Sequence, residues 1–387
     1  MRLPVRHPAA TALLAASVLL LGSACSGPDG GAGASPSPSP TKGGRAADPS
    51  PSAPPAKGSV KVLRTVATGL KSPWGLAELP DGDLLVSSRD DGTVQRVDVQ
   101  HGRTSEVGRV PGVAPGGEGG LLGIALSPQF ATDHEVYAYF TTASDNRVAR
   151  FLYEPDKRPG DQLGAPNTLL RGIPKGTIHN GGRIAFGPDG MLYASTGETG
   201  RSARAQDRSF LGGKILRMTP DGQPAPGNPF GNAPYVYSLG HRNVEGLAWD
   251  AKQRLWASEF GQDTWDELNL IRPGGNYGWP DVEGIAHRKG FVDPVAQWHP
   301  DQASPSGIAL VRGSVWMAAL RGERLWRVPL AGTRAAAAPQ AFLVHRYGRL
   351  RTVLAAGGDR LWLTTSNTDG RGHPVKGDDR ILELRVG

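Results

Sequence analysis

Histidine, arginine and glutamate side chains stand immediately ahead of short apolar segments at several points in this chain. They occur in "PGGEGG", "TIHNGG", "SLGHRNVEG" and "RYGRLR", and a fifth stretch, "QASPSG", has the same position without a charged residue. An imidazole can accept a proton from a hydroxyl group near pH 7. Guanidinium groups bind carboxylates and phosphates through paired hydrogen bonds. The candidate functional residues are Glu118, His179, Arg242, Asn243, Glu245, Arg349 and Arg351.

Each of these residues also has a structural interpretation. A lone histidine in a β-rich chain is more often a packing or hydrogen-bonding residue than a catalytic one, and we expect that role for His241. Arg349 and Arg351 alternate along a strand and share one face, which would be solvated in an ordinary sheet. The functional interpretation therefore requires elements that bring these loops together.

The elements that follow the loops are six copies of one unit, an apolar strand, a polar or Asp-Gly turn and a second apolar strand. The copies are spaced by roughly 45–65 residues, as in propeller blades. A further strand often follows, as in "GTVQRVDV" and "GKILRMTP". The hairpins begin at Pro73, Leu121, Gly182, Glu245, Ser306 and Arg351.

This repeat predicts an all-β fold, a six-bladed β-propeller of four-stranded antiparallel blades. The terminal segments "SVKVLRTVATGL" and "DDRILELRVG" are expected to complete one blade between them. A β-sandwich or barrel of similar strands is the alternative. In a propeller, all the loops that precede inner strands meet at one end of the ring, so the candidate residues would converge there. The tryptophans inside strands are expected to be core, namely Trp74, Trp249, Trp256, Trp316 and Trp362.

The composition and charge of the chain limit the classes of molecule that it is expected to bind. The chain has 387 residues, and its 54 Gly and 33 Pro lie largely in an N-terminal tract and between apolar runs, where turns belong. The net charge of +7 is spread without a dense basic block, which argues against nucleic acid and suits a small anionic ligand. We find no phosphate-binding loop of the Walker type and no GxSxG motif, because "GGEGG" leads into a strand.

The N-terminus predicts export. Residues 1–25 have two arginines, an apolar stretch and small residues before Cys25, as in a secretory signal. Cys25, the one cysteine of the chain, is placed as in a bacterial lipobox, although Gly22 stands where an apolar residue is usual. We expect a lipid-anchored protein, with plain secretion as the alternative. Residues 26–58, rich in Gly, Ser and Pro, are expected to form a disordered tether before a folded domain at 59–387.

Longer stretches of the chain resemble one family, the soluble sugar dehydrogenases that use pyrroloquinoline quinone (PQQ), including the glucose/sorbosone and aldose sugar dehydrogenases. The matching stretches include "GGEGGLLGIALSPQF", "HNGGRIAFGPDGMLYASTGE", "YSLGHRNVEGLAW" and "SEFGQDTWDELNLIRPGGNYGWP". The combination of "GHRN", "DELN" and "GGNYGWP" is specific to this group. The resemblance covers about residues 60–386.

The resemblance implies oxidation of the anomeric hydroxyl of an aldose to a lactone, with hydride passing to PQQ and then to an acceptor of unknown identity. His179 matches the catalytic base. The residues expected at the cofactor are Glu118, Arg242, Asn243, Arg321, Arg349 and Arg351. Backbone carbonyls of Gly261 and Gln262 match those that hold the active-site Ca²⁺, and Glu267 and Tyr277 match a second, structural calcium site.

Three departures from the family pattern predict an altered substrate preference. Glu118 and Glu245 stand where glutamines are common, and Ile178 replaces an aspartate that helps bind glucose. The two added carboxylates are also expected to weaken binding of an anionic cofactor. Two other functions stay open, a calcium-dependent hydrolase of the lactonase kind and a non-catalytic sugar-binding propeller.

Overall fold

The computed structural model describes residues 54–387, and they form six antiparallel β-sheets arranged as blades around an axis. The innermost strand of each sheet packs against that of the next, and the last innermost strand packs against the first. The ring is therefore closed, and the predicted six-bladed propeller is confirmed. The signal segment and all but the last residues of the tether lie outside the described part of the chain.

Five blades are built from consecutive strands, with the innermost strand first in sequence. Blade 1 contains β2 (Pro73–Glu78), β3 (Leu84–Ser88), β4 (Thr93–Asp98) and β5 (Arg103–Arg109). Blade 2 contains β6 (Leu121–Leu126), β7 (Glu135–Thr141), β8 (Asn146–Leu152) and β9 (Asn167–Ile173). Blade 3 contains β10 (Ile184–Phe186), β11 (Leu192–Ser195), β12 (Lys214–Met218) and β13 (Val236–Leu239). Blade 4 contains β14 (Asn243–Trp249), β15 (Leu255–Phe260), β16 (Asp266–Ile271) and β17 (Ala296–Trp298).

Blade 5 carries one additional short strand, and blade 6 joins the two ends of the domain. Blade 5 contains β18 (Pro305–Val311), β19 (Ser314–Ala319) and β20 (Arg324–Ala331), with β21 (Arg334–Ala335) and β22 (Gln340–Phe342) both paired to β20. Blade 6 contains β23 (Leu350–Ala355), β24 (Arg360–Thr365), β25 (Ile381–Val386) and β1 (Val60–Ala67). The pairing of β1 with β25 confirms that the terminal segments complete one blade. The helices within residues 54–387 are a single α-turn, α1 (Phe130–Asp133), and a 3₁₀ helix at Ser202–Gln206.

The "GPDG" stretch after the histidine loop is the tight turn that joins β10 to β11. Gly190 has φ +74°, a conformation that favours glycine. Asp189 closes the turn, because its carboxylate accepts hydrogen bonds from the Met191 N–H at 3.1 Å and from the Tyr193 hydroxyl at 2.9 Å. It also pairs with Arg217 on β12 at 2.8 Å. The aspartate thus links three strands at the end of the blade opposite the histidine.

The hydrophobic core lies between the blades. The described residues contain six buried apolar clusters, and each joins two neighbouring sheets, for example Trp256 of blade 4 with Val315 of blade 5. Four of the predicted core tryptophans, Trp74, Trp256, Trp316 and Trp362, are at most 5% exposed, whereas Trp249 is half-buried. Among residues 54–387, no helix is long and apolar enough to cross a membrane.

The described chain starts before β1 and contacts blade 5. The Arg327 guanidinium donates to the Pro55 carbonyl at 2.8 Å, and Gly58 N–H donates to Gln340 at 2.8 Å. The contacts of the folded body therefore begin a few residues ahead of the predicted boundary at residue 59. Because Val60 pairs with Val386, the chain enters the ring at the end opposite the loops that precede the inner strands.

Candidate active site

A cavity of about 430 Å³ opens at the end of the ring where the inner strands begin. We call it the mouth cavity. Its wall is formed by residues of all blades except blade 3, and it contains eight of the residues singled out in the sequence. These are Glu118, Arg242, Glu245, Gly261, Gln262, Arg321, Arg349 and Arg351. The other residues on its wall are Trp74, Arg89, Phe260, Asp266, Pro300, Ser304, Leu320, Asp369 and Arg371. His179 and Asn243 lie beside the cavity, and Glu267 and Tyr277 lie in a separate pocket.

The wall is strongly charged and cationic on balance. Its described residues include six arginines and four acidic side chains. Arg351 donates to Glu245 at 3.0 Å, and both Arg349 and Arg351 pair with Asp369, at 3.1 and 3.4 Å. Burial favours the protonated form of Asp369, but the two arginines outweigh it and hold the pKa of this carboxyl below its usual value. The two arginines, less than a tenth exposed, are thus fixed in position.

Arg242 is held over the segment predicted to bind calcium. Its Nη1 donates to the Gly261 carbonyl at 2.5 Å, while its buried Nε makes no hydrogen bond within residues 54–387. A Cβ at Gly261 would collide with the Trp265 carbonyl, so this position requires glycine. Burial lowers the pKa of the Arg242 guanidinium. The Arg242 Nε is a donor without a partner in residues 54–387, and the Gly261 carbonyl is bound by a cationic side chain. These two features indicate that this part of the cavity binds a charged ligand.

His179 stands on a strained loop next to the cavity. Its φ of +54° is in the left-handed region, which costs a residue other than glycine about 1–2 kcal/mol. Its backbone N–H donates to the Glu118 carboxylate at 2.6 Å, and its Nδ1 is hydrogen-bonded to the buried Glu198. Its Nε2 has no partner in the part of the chain that the structure describes. The ring therefore has one nitrogen fixed by a carboxylate and one available for a substrate.

Two side chains support this loop. Asn243 is fully buried, and its Oδ1 accepts the Gly181 N–H at 2.9 Å, two residues after the histidine. Glu118 pairs with Arg371 of blade 6 at 2.7 Å. Burial alone would raise the pKa of Glu118. The hydrogen bond from the His179 N–H and the charge of Arg371 outweigh that effect, so the pKa is below its usual value. In this structure Glu118 fixes the histidine loop, and Asn243 contacts that loop from beneath the cavity.

The residues predicted to bind a second calcium lie around a small void of about 10 Å³. Glu267 is buried, and its two oxygens accept hydrogen bonds from Gly284 N–H at 2.7 Å and from Asn269 at 2.9 Å. Burial, reinforced by the neighbouring Glu259, raises the pKa of Glu267 well above its usual value. The Tyr277 hydroxyl donates to the Leu270 carbonyl at 2.7 Å. Its ring stacks on His241, which has the packing role expected from the sequence.

Sequence reasoning missed several residues of the site, and they share one topological position. Arg89, Glu198 and Asp369 each follow the second strand of a blade, as do Gly261 and Arg321, which the family resemblance had placed at the site. The second strand runs back toward the mouth, so its end reaches the same cavity as the loop ahead of the inner strand. Applied to every blade, this rule would have found them. Trp74, expected only as core, is 2% exposed and yet lines the cavity.

The sequence matches the model of one protein family, described as "Glucose / Sorbosone dehydrogenase", over residues 70–375. The chain belongs to this family. The quinoprotein glucose dehydrogenase B of Acinetobacter calcoaceticus is 31% identical over 59% of this chain and 54% of its own length. The aldose sugar dehydrogenase of Escherichia coli is 32% identical over 63% of this chain and 67% of its own.

Solved structures of the glucose/sorbosone dehydrogenase family agree with this assignment. The PQQ-bound aldose sugar dehydrogenase of Streptomyces coelicolor is 74% identical to this chain, covers 87% of it and all of its own chain, and superposes with a TM-score of 0.86. A glucose dehydrogenase-like oxidoreductase of Thermus thermophilus is 44% identical over 84% of this chain, with a TM-score of 0.77. The family resemblance seen in the sequence is therefore confirmed.

Proposed function

We propose that this protein is an exported quinoprotein that oxidises the anomeric hydroxyl of an aldose to a lactone, with PQQ as hydride acceptor. The observation that carries the proposal is the mouth cavity, where buried arginines face the same space beside a histidine–carboxylate pair. The PQQ-bound state of the 74% identical relative supports the choice of cofactor.

The residues of the cavity fit a polyanionic quinone. PQQ has three carboxyl groups, and guanidinium groups bind such groups through charge-assisted hydrogen bonds. Arg349, Arg351 and Arg242 would hold it, and Arg321, exposed on the cavity wall, would add a further cation. Glu245, which is expected to weaken cofactor binding, is engaged by Arg351 and by the Ser306 hydroxyl at 2.8 Å. When bound, PQQ supplies a two-electron acceptor for the hydride of the sugar.

His179 would act as the general base. Glu198 fixes Nδ1, so Nε2 is the nitrogen that faces a substrate hydroxyl and accepts its proton as hydride leaves the anomeric carbon. The negative charge of Glu198 stabilises the imidazolium that this transfer produces, as the carboxylate does in other histidine dyads. Glu118 holds the backbone of the histidine in place. General-base catalysis of this kind contributes roughly 10²–10⁴-fold in rate.

Calcium is the second proposed cofactor. Carbonyl oxygens are suitable Ca²⁺ ligands, and Gly261 and Gln262 both line the mouth cavity. Because Arg242 occupies the Gly261 carbonyl in this structure, calcium binding there would release the guanidinium toward the cavity. A small void lies beside Glu267 and Tyr277, and the Glu267 carboxylate is an oxygen ligand of the kind that Ca²⁺ prefers. Within residues 54–387, no group of three or more His, Cys, Asp or Glu side chains is arranged to hold a metal. The carboxylate cage that a lactonase-type hydrolase would need is therefore not formed there.

We further propose that the protein is attached to the outer face of the cell membrane through a lipid on Cys25, or is secreted. The chain enters the propeller at the end opposite the mouth, since Val60 pairs with Val386 there. An anchor on that side would leave the cavity open to a soluble sugar and to an electron acceptor.

The experiment is reconstitution of the purified protein with PQQ and Ca²⁺, followed by a screen of aldoses with an artificial electron acceptor. We expect sugar-dependent acceptor reduction that requires added PQQ and that yields the lactone. PQQ binding without turnover on any aldose would favour a sugar-binding propeller, and absence of PQQ binding would refute the quinoprotein proposal.

A further inference from the structure

Arg183 is a buried cation that the proposed mechanism does not use. It is 8% exposed, and its Nε donates to the Glu245 carbonyl at 2.9 Å while its Nη2 donates to the Thr352 hydroxyl at 3.1 Å. Both acceptors are neutral. Arg349 and Arg351, buried to a similar degree, have carboxylate partners, whereas no ion pair of Arg183 occurs among the described residues. The Glu245 carboxylate stabilises the Arg183 charge only through space, and the nearby Arg351 opposes that effect. A buried charge without a direct ion pair is costly, so its position demands an explanation.

Arg183 lies directly beneath the mouth cavity, under the ring of Trp74. The Cζ atom of Arg183 lies 4.3 Å from the centre of the Trp74 ring, and Trp74 lines the mouth cavity. Arg183 itself lines a different, mostly apolar space of about 370 Å³, surrounded by the inner strands of all six blades and open to solvent. We call this the axial cavity. Trp74 and Arg183 together therefore form the partition between the two cavities.

The partition is held by three blades at once. Arg183 comes from blade 3, and it binds the Glu245 backbone of blade 4 and the Thr352 side chain of blade 6. The Thr352 hydroxyl then donates to the Trp74 carbonyl of blade 1 at 2.5 Å. The Arg183 guanidinium thus fixes the Trp74 ring, and Thr352, which binds that guanidinium, also binds the Trp74 backbone. A second cation, Arg351, lies 5.6 Å from the same ring.

We propose that Arg183 is a positioning residue for the quinone: it fixes Trp74 as the floor of the cofactor pocket and places under it a positive charge that has no direct ion pair among the described residues. This inference rests on the proposed function, because it assumes that PQQ occupies the mouth cavity. The three carboxylates of the cofactor would add to the counter-charge that Glu245 supplies only through space, and a low-polarity surrounding weakens their attraction little. Burial lowers the pKa of Arg183 to about 10, so the group is charged at neutral pH.

The test is a PQQ titration followed by quenching of tryptophan fluorescence, with the apo-protein melting temperature measured in parallel. The variants are Arg183→Met, Arg183→Lys and Thr352→Val. Thr352 lines the axial cavity and not the mouth cavity, and its hydroxyl contacts both Arg183 and the Trp74 carbonyl, so we expect its effect on PQQ to pass through them. Arg217→Met is the matched control, because Arg217 lies over the Tyr193 ring on the same blade, away from the mouth cavity.

We expect Arg183→Met to weaken PQQ binding about tenfold or more, the scale of one charge interaction at short range in a protein. Arg183→Lys should restore part of this loss because it restores the charge, and Thr352→Val should weaken binding several-fold, while Arg217→Met binds as the wild type does. If Arg183→Met does not fold, Thr352→Val and Arg183→Lys decide the matter.

Equal PQQ affinity in the folded variants and the wild type would overturn the positioning role, as would a loss that lysine does not restore. Failure of the wild type itself to bind PQQ would instead refute the proposed function, so the two failures are distinguishable.

Discussion

Replacing Glu198 by glutamine should separate the charge of this residue from its shape. Glu198 is 1% exposed, one of its oxygens binds His179 Nδ1, and the other has no partner within residues 54–387. Glutamine can keep the hydrogen bond to Nδ1 but provides no negative charge for the imidazolium. A hydrogen bond to a charged group contributes about 1.5–3 kcal/mol, against about 1 kcal/mol for a neutral one. The difference is about 0.5–2 kcal/mol. Since 1.36 kcal/mol corresponds to a factor of ten in rate, removing the carboxylate charge should slow turnover by about 2–30-fold.

The assay is steady-state acceptor reduction by PQQ-loaded protein on an aldose that the wild type oxidises, together with a PQQ titration. We expect kcat to fall in Glu198→Gln while PQQ affinity changes little, because Glu198 is absent from the wall of the mouth cavity. Glu135→Gln is the control, since Glu135 binds Tyr137 and Arg150 on the outer part of blade 2. A kcat within twofold of the wild type would refute the role of Glu198. A fall in PQQ affinity alone would show that the pair serves binding instead.

Three further predictions concern the cofactor, the metal and the anchor. Arg349→Ala should weaken PQQ binding about 10–150-fold in titration, because a charge-assisted hydrogen bond to a carboxylate is lost; an unchanged dissociation constant would remove Arg349 from the cofactor site. Exhaustive chelation should lower the melting temperature, since an ion bound only to the native state stabilises it, and calcium analysis of the purified protein checks the site at Glu267. If chelation changes nothing and no calcium is found, that site does not exist. Cys25→Ala should abolish labelling by a fatty-acid analogue in cells, and label retained in the variant would exclude this anchor.

The fold was predictable because its local signals agree with one another. Alternating apolar strands and polar turns recur six times, and each turn residue has a defined function, as Asp189 and Gly190 show at the β10–β11 turn. Closure of the ring by β1 and β25 followed from the apolar pattern at the two termini. No contact between distant residues had to be known to reach this result.

Part of the site was predictable from one topological rule, and the family resemblance added Gly261, Gln262 and Arg321. Loops ahead of inner strands identified Glu118, Arg242 and Arg351, which do line one cavity. Residues at the ends of second strands, such as Glu198 and Asp369, were not considered, although the same alternation of strand direction places them at the mouth.

Other features depend on contacts that a single sequence does not reveal. The partner of Glu245 is Arg351, 106 residues away, so the effect of this carboxylate on an anionic ligand could not be judged from its type. Trp74 has the burial of a core residue and also forms the floor of a cavity, and the burial pattern of a strand does not distinguish these two situations.

The central claim is that His179 removes a proton from a sugar beside a quinone held by arginines, and one variant tests it most directly. Wild-type protein and His179→Ala are loaded with PQQ and Ca²⁺, and reduction of the bound quinone by an excess of aldose is followed in a single turnover without an acceptor. The account predicts equal PQQ affinity and a rate of quinone reduction at least about 100-fold slower in the variant. Reduction at the wild-type rate would contradict it and would assign His179 a structural role.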